Sequence, residues 1–352
     1  MTRMGPTCLW NDSAAEADLI YSLAQGAVGA TCNPVIVLEV LKRELSIWQP
    51  RIAALARERP AATETEIAWR LAEEISATRA AMLGEVFEQH GGRNGRLSIQ
   101  TDPRLYRDAR ALVEQALHFS QLAPNMIVKL PATRAGIEAM EEVTARGVSI
   151  NATVSFSLPQ ALAVAEAVEC GLRRREQQGD DVKTMGPVCT IMVGRLDDWL
   201  KVVADKKDIT IEPGDLEWAG VAVFKKAYRI YRERGYRVRL LSAAFRNHMH
   251  WSELIGGDVV ISPPCKWQRR FNASDVPVVP RIDQPVAPAI VEELLKKFPD
   301  FGRAYREDGL SIDELDTFPP TRRTLRQFMD ACHQLDVQVR NVITADPEAE
   351  LA

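Results

Sequence analysis

A chain of 352 residues with 46% hydrophobic content can bury a substantial core, and its length suits one barrel-sized catalytic domain with additions. The formal net charge of −4 argues against nucleic acid as a partner. There is no apolar run of membrane-spanning length, no apolar signal-peptide core in the first residues and no Cys-x-x-Cys pair among the six cysteines, which predicts free thiols in a reducing, cytoplasmic setting.

Short apolar runs alternate with longer amphipathic stretches. The predicted strands are Thr7–Trp10, Val28–Cys32, Arg96–Gln100, Met126–Leu130, Val148–Thr153, Val188–Val193, Val238–Ala243 and Asp258–Ser262. Helical patterns over Leu105–Phe119, Gly136–Arg146 and Pro159–Cys170 separate several of them. This alternation predicts a parallel sheet, and about eight strands predict a closed (β/α)8 TIM barrel with additional helices. An open doubly wound sheet is the alternative, but no glycine-rich turn follows the first strand.

Three segments read as additions. Arg51–Gln89 is charged and helical. Arg173–Pro187 is a polar loop whose Arg173, Arg174 and Arg175 read as a solvated face. Trp267–Pro288 is proline-rich and irregular, and helices follow it to about Ala345, before a mobile Ala345–Ala352 tail. The barrel domain is therefore expected over residues 1–265 with a helical insertion near 51–90. An irregular loop and a C-terminal helical extension packed on the barrel are expected over 266–352.

The strand Met126–Leu130 carries a lysine, Lys129, inside an otherwise apolar run closed by Pro131. Burial lowers a lysine's pKa, and a neutral amine attacks carbonyl carbons. The plain alternative is a lysine whose head snorkels to solvent. Catalytic groups of a parallel barrel sit at the C-terminal strand ends. Polar residues fall there strand after strand: Asp12, Asn33, Gln100, Lys129, Asn151 and Thr153, Thr190 and Arg195, Arg246, and Ser262. Taken singly, Thr190 and Ser262 are ordinary strand polarity, Asp12 could cap a helix beginning near Ala14, and Asn33 before Pro34 could be a helix-entry residue. His248 and His250, two apart, would not face together on a helix, so a metal pair is not expected, although one of them could face a substrate.

The motifs around these residues carry a resemblance. Gly29-Ala30-Thr31-Cys32-Asn33-Pro34, Ile127-Val128-Lys129-Leu130-Pro131-Ala132-Thr133, Gly147-Val148-Ser149-Ile150-Asn151-Ala152-Thr153, Val193-Gly194-Arg195 and Ser242-Ala243-Ala244-Phe245-Arg246-Asn247 follow one another in order, each at a strand end. This arrangement, over about residues 7 to 265, resembles the transaldolase family, which includes the fructose-6-phosphate aldolases. The resemblance implies an enzyme of carbohydrate metabolism in the pentose phosphate pathway. It would transfer a dihydroxyacetone unit between a ketose phosphate and an aldose phosphate. It implies Lys129 as the Schiff-base lysine, Asp12 as the proton-exchanging acid, and Thr153 as a holder of the catalytic water. Asn33 and Asn151 would bind donor hydroxyls, with Thr31, Thr190 and Ser262 as further substrate contacts. Arg195 and Arg246 would grip the substrate phosphate.

No metal or organic cofactor is implied, because the protonated imine serves as the electron sink. Partners are sugar phosphates, with no nucleic acid and no membrane; a homo-oligomer stays open. Two departures matter. Gln100 stands where classical transaldolases carry a glutamate and where the fructose-6-phosphate aldolases carry a glutamine. Met192 stands where the aldolases carry a tyrosine. Two alternatives therefore remain: an aldolase releasing free dihydroxyacetone or acting on a specialised sugar phosphate, and a catalytically weakened sugar-phosphate-binding homologue.

Overall fold

In the computed structural model, which describes residues 1, 5–345 and 347, the chain begins with β1 (Cys8–Asn11), α1 (Glu16–Ala24), β2 (Ala27–Thr31) and α2 (Pro34–Arg43). Three more helices, α3 (Leu45–Glu58), α4 (Glu64–Met82) and α5 (Gly84–Gln89), precede β3 (Arg96–Gln100). Then come α6 (Ala109–Ser120), β4 (Met126–Pro131), α7 (Arg134–Ala145), β5 (Ile150–Thr153), α8 (Leu158–Gln177) and β6 (Val188–Ile191). The barrel finishes with α9 (Val193–Lys206), α10 (Ala219–Arg234), β7 (Arg239–Ser242), α11 (Met249–Ser252) and β8 (Val260–Ile261). Last are α12 (Cys265–Asn272), α13 (Pro288–Lys297), α14 (Pro299–Tyr305) and α15 (Pro319–Ile343). Most of the tail expected to be mobile, residues 346 and 348–352, lies outside the described residues.

Each strand pairs in parallel with its sequence neighbours, and β8 pairs with β1, so the sheet closes into an eight-stranded barrel. The eight predicted strands are the eight observed, with ends moved by up to two residues. Among the described residues no helix is long and apolar enough to cross a membrane.

Local chemistry explains the strand-to-helix turns. The side chains of Asn33, Thr133 and Ser157 accept the backbone N–H of Ile36, Gly136 and Gln160, starting α2, α7 and α8. Gly136 is required by close approach: a Cβ there would lie 1.7 Å from the Pro131 carbonyl oxygen, so only glycine lets α7 start against the end of β4. The buried Gln160 amide donates to the carbonyls of Ala132 and Val154 at 3.0 and 2.9 Å, and its Oε1 accepts from Phe156 N and Ser157 Oγ. It stitches together the turns after β4 and β5, the strands that carry Lys129 and Thr153.

Side chains two apart on each strand line the barrel interior. Its middle is filled by Trp10, Ile127, Val188, Leu241 and Val260, all fully buried. Trp10 leans on Gly29, where a Cβ would sit 2.5 Å from the indole. The N-terminal mouth is closed by Arg96 and Arg239, at 6% and 7% exposure. The C-terminal mouth holds the residues named above, and α15 packs over that end against α2, α3, α4 and α9.

Four local expectations need correction. Asp12 caps no helix: α1 starts at Glu16 behind Ala15, without a side-chain cap. Arg173–Gln177 belong to α8, because Arg, Glu and Gln are good helix formers that extend a helix already nucleated upstream. Arg174 pairs with Glu141 and Glu142, and Arg175 with Asp180, so that face is paired rather than simply solvated. Trp267–Asn272 are helical, in α12, where Phe271 is buried and the Trp267 ring lies 5.5 Å from its own.

Candidate active site

Lys129 ends up 3% exposed, in register with Gln100 of β3 and Asn151 of β5. No hydrogen-bond or ion-pair partner holds its ammonium among the described residues. Burial pushes its pKa down and Arg195 adds to that, while Asp12 and Cys32 oppose it. Burial also pushes the Cys32 thiol up to about 11, which keeps it protonated. Among the described residues, the anionic neighbour of Lys129 is then Asp12. Its Oδ1 accepts the Thr31 hydroxyl at 2.5 Å, which fixes the carboxylate at the end of β1.

Beside the lysine runs a polar chain across three strands. Thr190 Oγ1 donates to Asn151 Oδ1 at 2.7 Å, and Asn151 Nδ2 donates to Ser98 Oγ at 3.0 Å. Ser98 was not singled out from the sequence. The signal was there: it lies two residues before Gln100 in β3, hence on the same face. Thr153 Oγ1 faces the sulfur of Met192 at 3.9 Å. Gln100 Oε1 is buried without a hydrogen bond among the described residues, and Ser76 Oγ is buried beside the Cys32 thiol. Both residues line a narrow cleft of about 20 Å³, room for roughly one water. Asn33 also lines it, while its Oδ1 caps α2, so its helix-entry role is real and leaves the amide nitrogen for other contacts. The Ser262 hydroxyl is likewise buried and unbonded among the described residues.

Arg195 and Arg246 converge beyond β6 and β7. Burial, together with the charge of Arg246, lowers Arg195 to about 10, so it stays a cation at neutral pH. Its Nη1 donates to Gln327, its guanidinium lies 5.7 Å from the Phe328 ring, and its buried Nε is unpaired among the described residues. Gln327 and Phe328 belong to α15 and had no sequence signal, because they reach the site only through tertiary packing. Arg246 forks onto Asp198, at 2.7 Å from Nη2 and 3.0 Å from Nε to Oδ2. Two backbone outliers stand next to these groups: Val154, just after Thr153, at φ 53°, and Ala244, just after β7, at φ 65°. Each costs on the order of 1–3 kcal/mol and marks a turn held by its surroundings.

The histidines separate. His248 is exposed, with Nδ1 3.1 Å from Ser252 Oγ, whereas His250 is fully buried against Asp197. Neither pairs with the other, and among the described residues no group of three or more His, Cys, Asp or Glu side chains could hold a metal ion.

A closed parallel barrel with its polar side chains gathered at the C-terminal strand ends places the molecule among the (β/α)8 barrels with a site at that face. The family model for Transaldolase/Fructose-6-phosphate aldolase matches residues 9–307, and the chain belongs to that family. It is similar to Transaldolase 2 of Streptomyces avermitilis, 32% identical over 210 residues, which are 59% of this chain and 55% of the relative. It is also similar to Transaldolase 1 of Streptomyces coelicolor, 33% identical over 188 residues, or 53% and 48% of the two chains. A third relative is Transaldolase of Mycobacterium ulcerans, 30% identical over 215 residues, or 59% and 56%. The chain thus spans about half the length of the curated relatives it matches.

Proposed function

We propose that this protein makes and breaks carbon–carbon bonds of sugar phosphates in the cytosol, through a Schiff base on Lys129. The reading is carried by one observation: a buried amine at the end of β4, without a hydrogen-bond partner among the described residues and with Asp12 as its one anionic neighbour. Burial favours the neutral amine, which adds to the ketose carbonyl. Loss of water gives the protonated imine. Asp12 then takes the proton of the substrate hydroxyl as the adjacent carbon–carbon bond breaks, and the electron pair moves into the imine. An aldose phosphate leaves, and the bound dihydroxyacetone unit passes to a second aldose phosphate.

Asn151, whose amide is held by Thr190 and Ser98, would bind a donor hydroxyl. Asn33, Thr31 and Ser262 are further polar contacts of the same mouth. Arg195 and Arg246 take the phosphate, for which guanidinium forks are suited. A water bound by Gln100, with Thr153 as a second holder, would serve the imine-forming and imine-hydrolysing steps. Gln100 can orient that water but cannot take its proton.

Gln100 and Met192 favour a second reading, in which the dihydroxyacetone unit is released rather than transferred. The test is borohydride trapping with a ketose phosphate, followed by mass spectrometry of the adduct and product analysis with and without an aldose phosphate. An adduct on Lys129 with acceptor-dependent product supports transfer. Free dihydroxyacetone irrespective of acceptor supports the aldolase reading. An adduct on another lysine, or none, sinks both.

A further inference from the structure

A wholly buried ionisable pair has no task in the mechanism above. Asp197 and His250 are both wholly buried, with Nε2 2.8 Å from Oδ2. Burial pushes the Asp197 carboxyl up, and the histidine opposes this. Asp197 Oδ1 accepts the Gly220 N–H at 2.9 Å. On the other edge of the ring, Nδ1 lies 3.1 Å from the backbone nitrogen of Arg246. A backbone N–H can only donate, so Nδ1 is the acceptor and the ring proton sits on Nε2, facing Asp197. The Ser242 hydroxyl, at the end of β7, donates to the His250 carbonyl at 3.1 Å.

The ring therefore joins two segments. One is the start of α9, which bears Arg195 and Asp197. The other is the turn after β7, which bears Arg246 and the strained Ala244. Gly194 permits the contact: a Cβ there would lie 3.0 Å from His250 Cε1, 2.8 Å from Arg246 Cγ and 2.1 Å from the Ala244 carbonyl oxygen. Desolvating such a pair is costly, and an apolar pair of similar volume would serve packing at least as well. What an apolar pair could not do is accept the Arg246 N–H and thereby fix where that residue leaves the turn.

We infer that His250, oriented by Asp197, is a positioning residue that sets the Arg246 backbone and with it the spacing of the Arg195 and Arg246 guanidiniums for the substrate phosphate. This inference rests on reading those two arginines as the phosphate grip.

The experiment measures inorganic phosphate affinity by titration calorimetry, KM and kcat for a ketose phosphate, and the rate of borohydride trapping with dihydroxyacetone, which carries no phosphate. His250→Phe keeps an aromatic ring but loses both nitrogens. It should weaken phosphate binding and raise KM about tenfold, the scale of one buried hydrogen bond, with trapping by dihydroxyacetone changed less than about twofold. His250→Asn, whose Oδ1 can accept the Arg246 N–H, should recover most of that loss. Unchanged phosphate affinity in His250→Phe, an equal loss in dihydroxyacetone trapping, or no recovery in His250→Asn overturns the inference. If His250→Phe does not fold, Asp197→Asn decides: weakened phosphate binding with normal dihydroxyacetone trapping supports the inference, and wild-type phosphate affinity overturns it. Arg246→Ala keeps the two readings apart. If that variant binds phosphate normally, the phosphate assignment itself is wrong. If it loses phosphate while His250→Phe does not, only the positioning role falls.

Discussion

Arg96 and Arg239 at the N-terminal mouth of the barrel are buried about as deeply as Lys129 at the C-terminal mouth. The surroundings differ. Arg96 donates from Nε, Nη1 and Nη2 to the carbonyls of Gly92, Met126 and Thr184, at 2.8, 3.2 and 2.7 Å. Arg239 donates to the Arg93 carbonyl and to Asn94 Oδ1, at 3.3 and 3.0 Å. Burial, with the charge of Arg239, lowers Arg96 to about 10, and it remains a cation. At that mouth the carbonyl dipoles offset the desolvation of charge. At the other mouth nothing among the described residues bonds to the lysine, and its desolvation pushes its pKa down. The same physical cost accompanies a plug at one end and, on the proposed reading, a nucleophile at the other.

The sharpest break of this contrast is Lys129→Met. Turnover and borohydride trapping should vanish, while the thermal midpoint stays level or rises, since a desolvated, unbonded amine is replaced by an apolar chain. A turnover-competent Lys129→Met variant would refute the mechanism. Next in size is Asp12→Asn, expected to lower turnover by about 10²–10⁴-fold, the usual range for an acid–base group, with Gln100→Ala far milder. Initial rates of the two variants on one ketose phosphate rank them, and a nearly silent Asp12→Asn would mean that another group carries the proton.

Arg195→Ala or Arg246→Ala should weaken phosphorylated donors by about 1.5–3 kcal/mol and non-phosphorylated donors much less. Equal losses in KM for both donor types would contradict the phosphate assignment. At the opposite mouth, Arg96→Met should cost about 1–3 kcal/mol of stability by stranding carbonyls, read as a shifted denaturation midpoint, with kcat of the folded enzyme intact.

The smallest effect is in pH. The folded value for Lys129 lies below the ordinary 10.5, so the unfolded chain binds more protons between the two. Stability therefore rises with pH across that window, and Lys129→Met lacks this slope. The trapping rate should climb as pH rises through the depressed value and level off above it. Parallel stability–pH curves for the two proteins would remove the premise.

The barrel was readable because each strand is a short apolar run and each is followed by an amphipathic helix, a pattern that local sequence carries by itself. Lys129, Asp12 and Asn151 stood out because polar groups in such runs are costly. What could not be read depends on distant partners. Asp197 meets His250 across 53 residues, and Gln327 meets Arg195 across 132. No spacing rule reaches that far. The helix through Arg173–Gln177 was hidden by its charges, whose partners lie on α7 and in the turn after α8. Gln160 was invisible as well, since a glutamine in the first turn of a helix gives no sign that it will bond across two turns.

Closure of the barrel has a consequence for the chain before it folds. β1 and β4 are not neighbours in the sheet, so Asp12 and Lys129 face each other only once the ring of strands is complete. In the open chain Lys129 titrates near 10.5, is almost wholly protonated at neutral pH, and is no more reactive towards sugars than any surface lysine. On the proposed reading, the depressed pKa that makes this amine a nucleophile comes into being only with the fold that buries it.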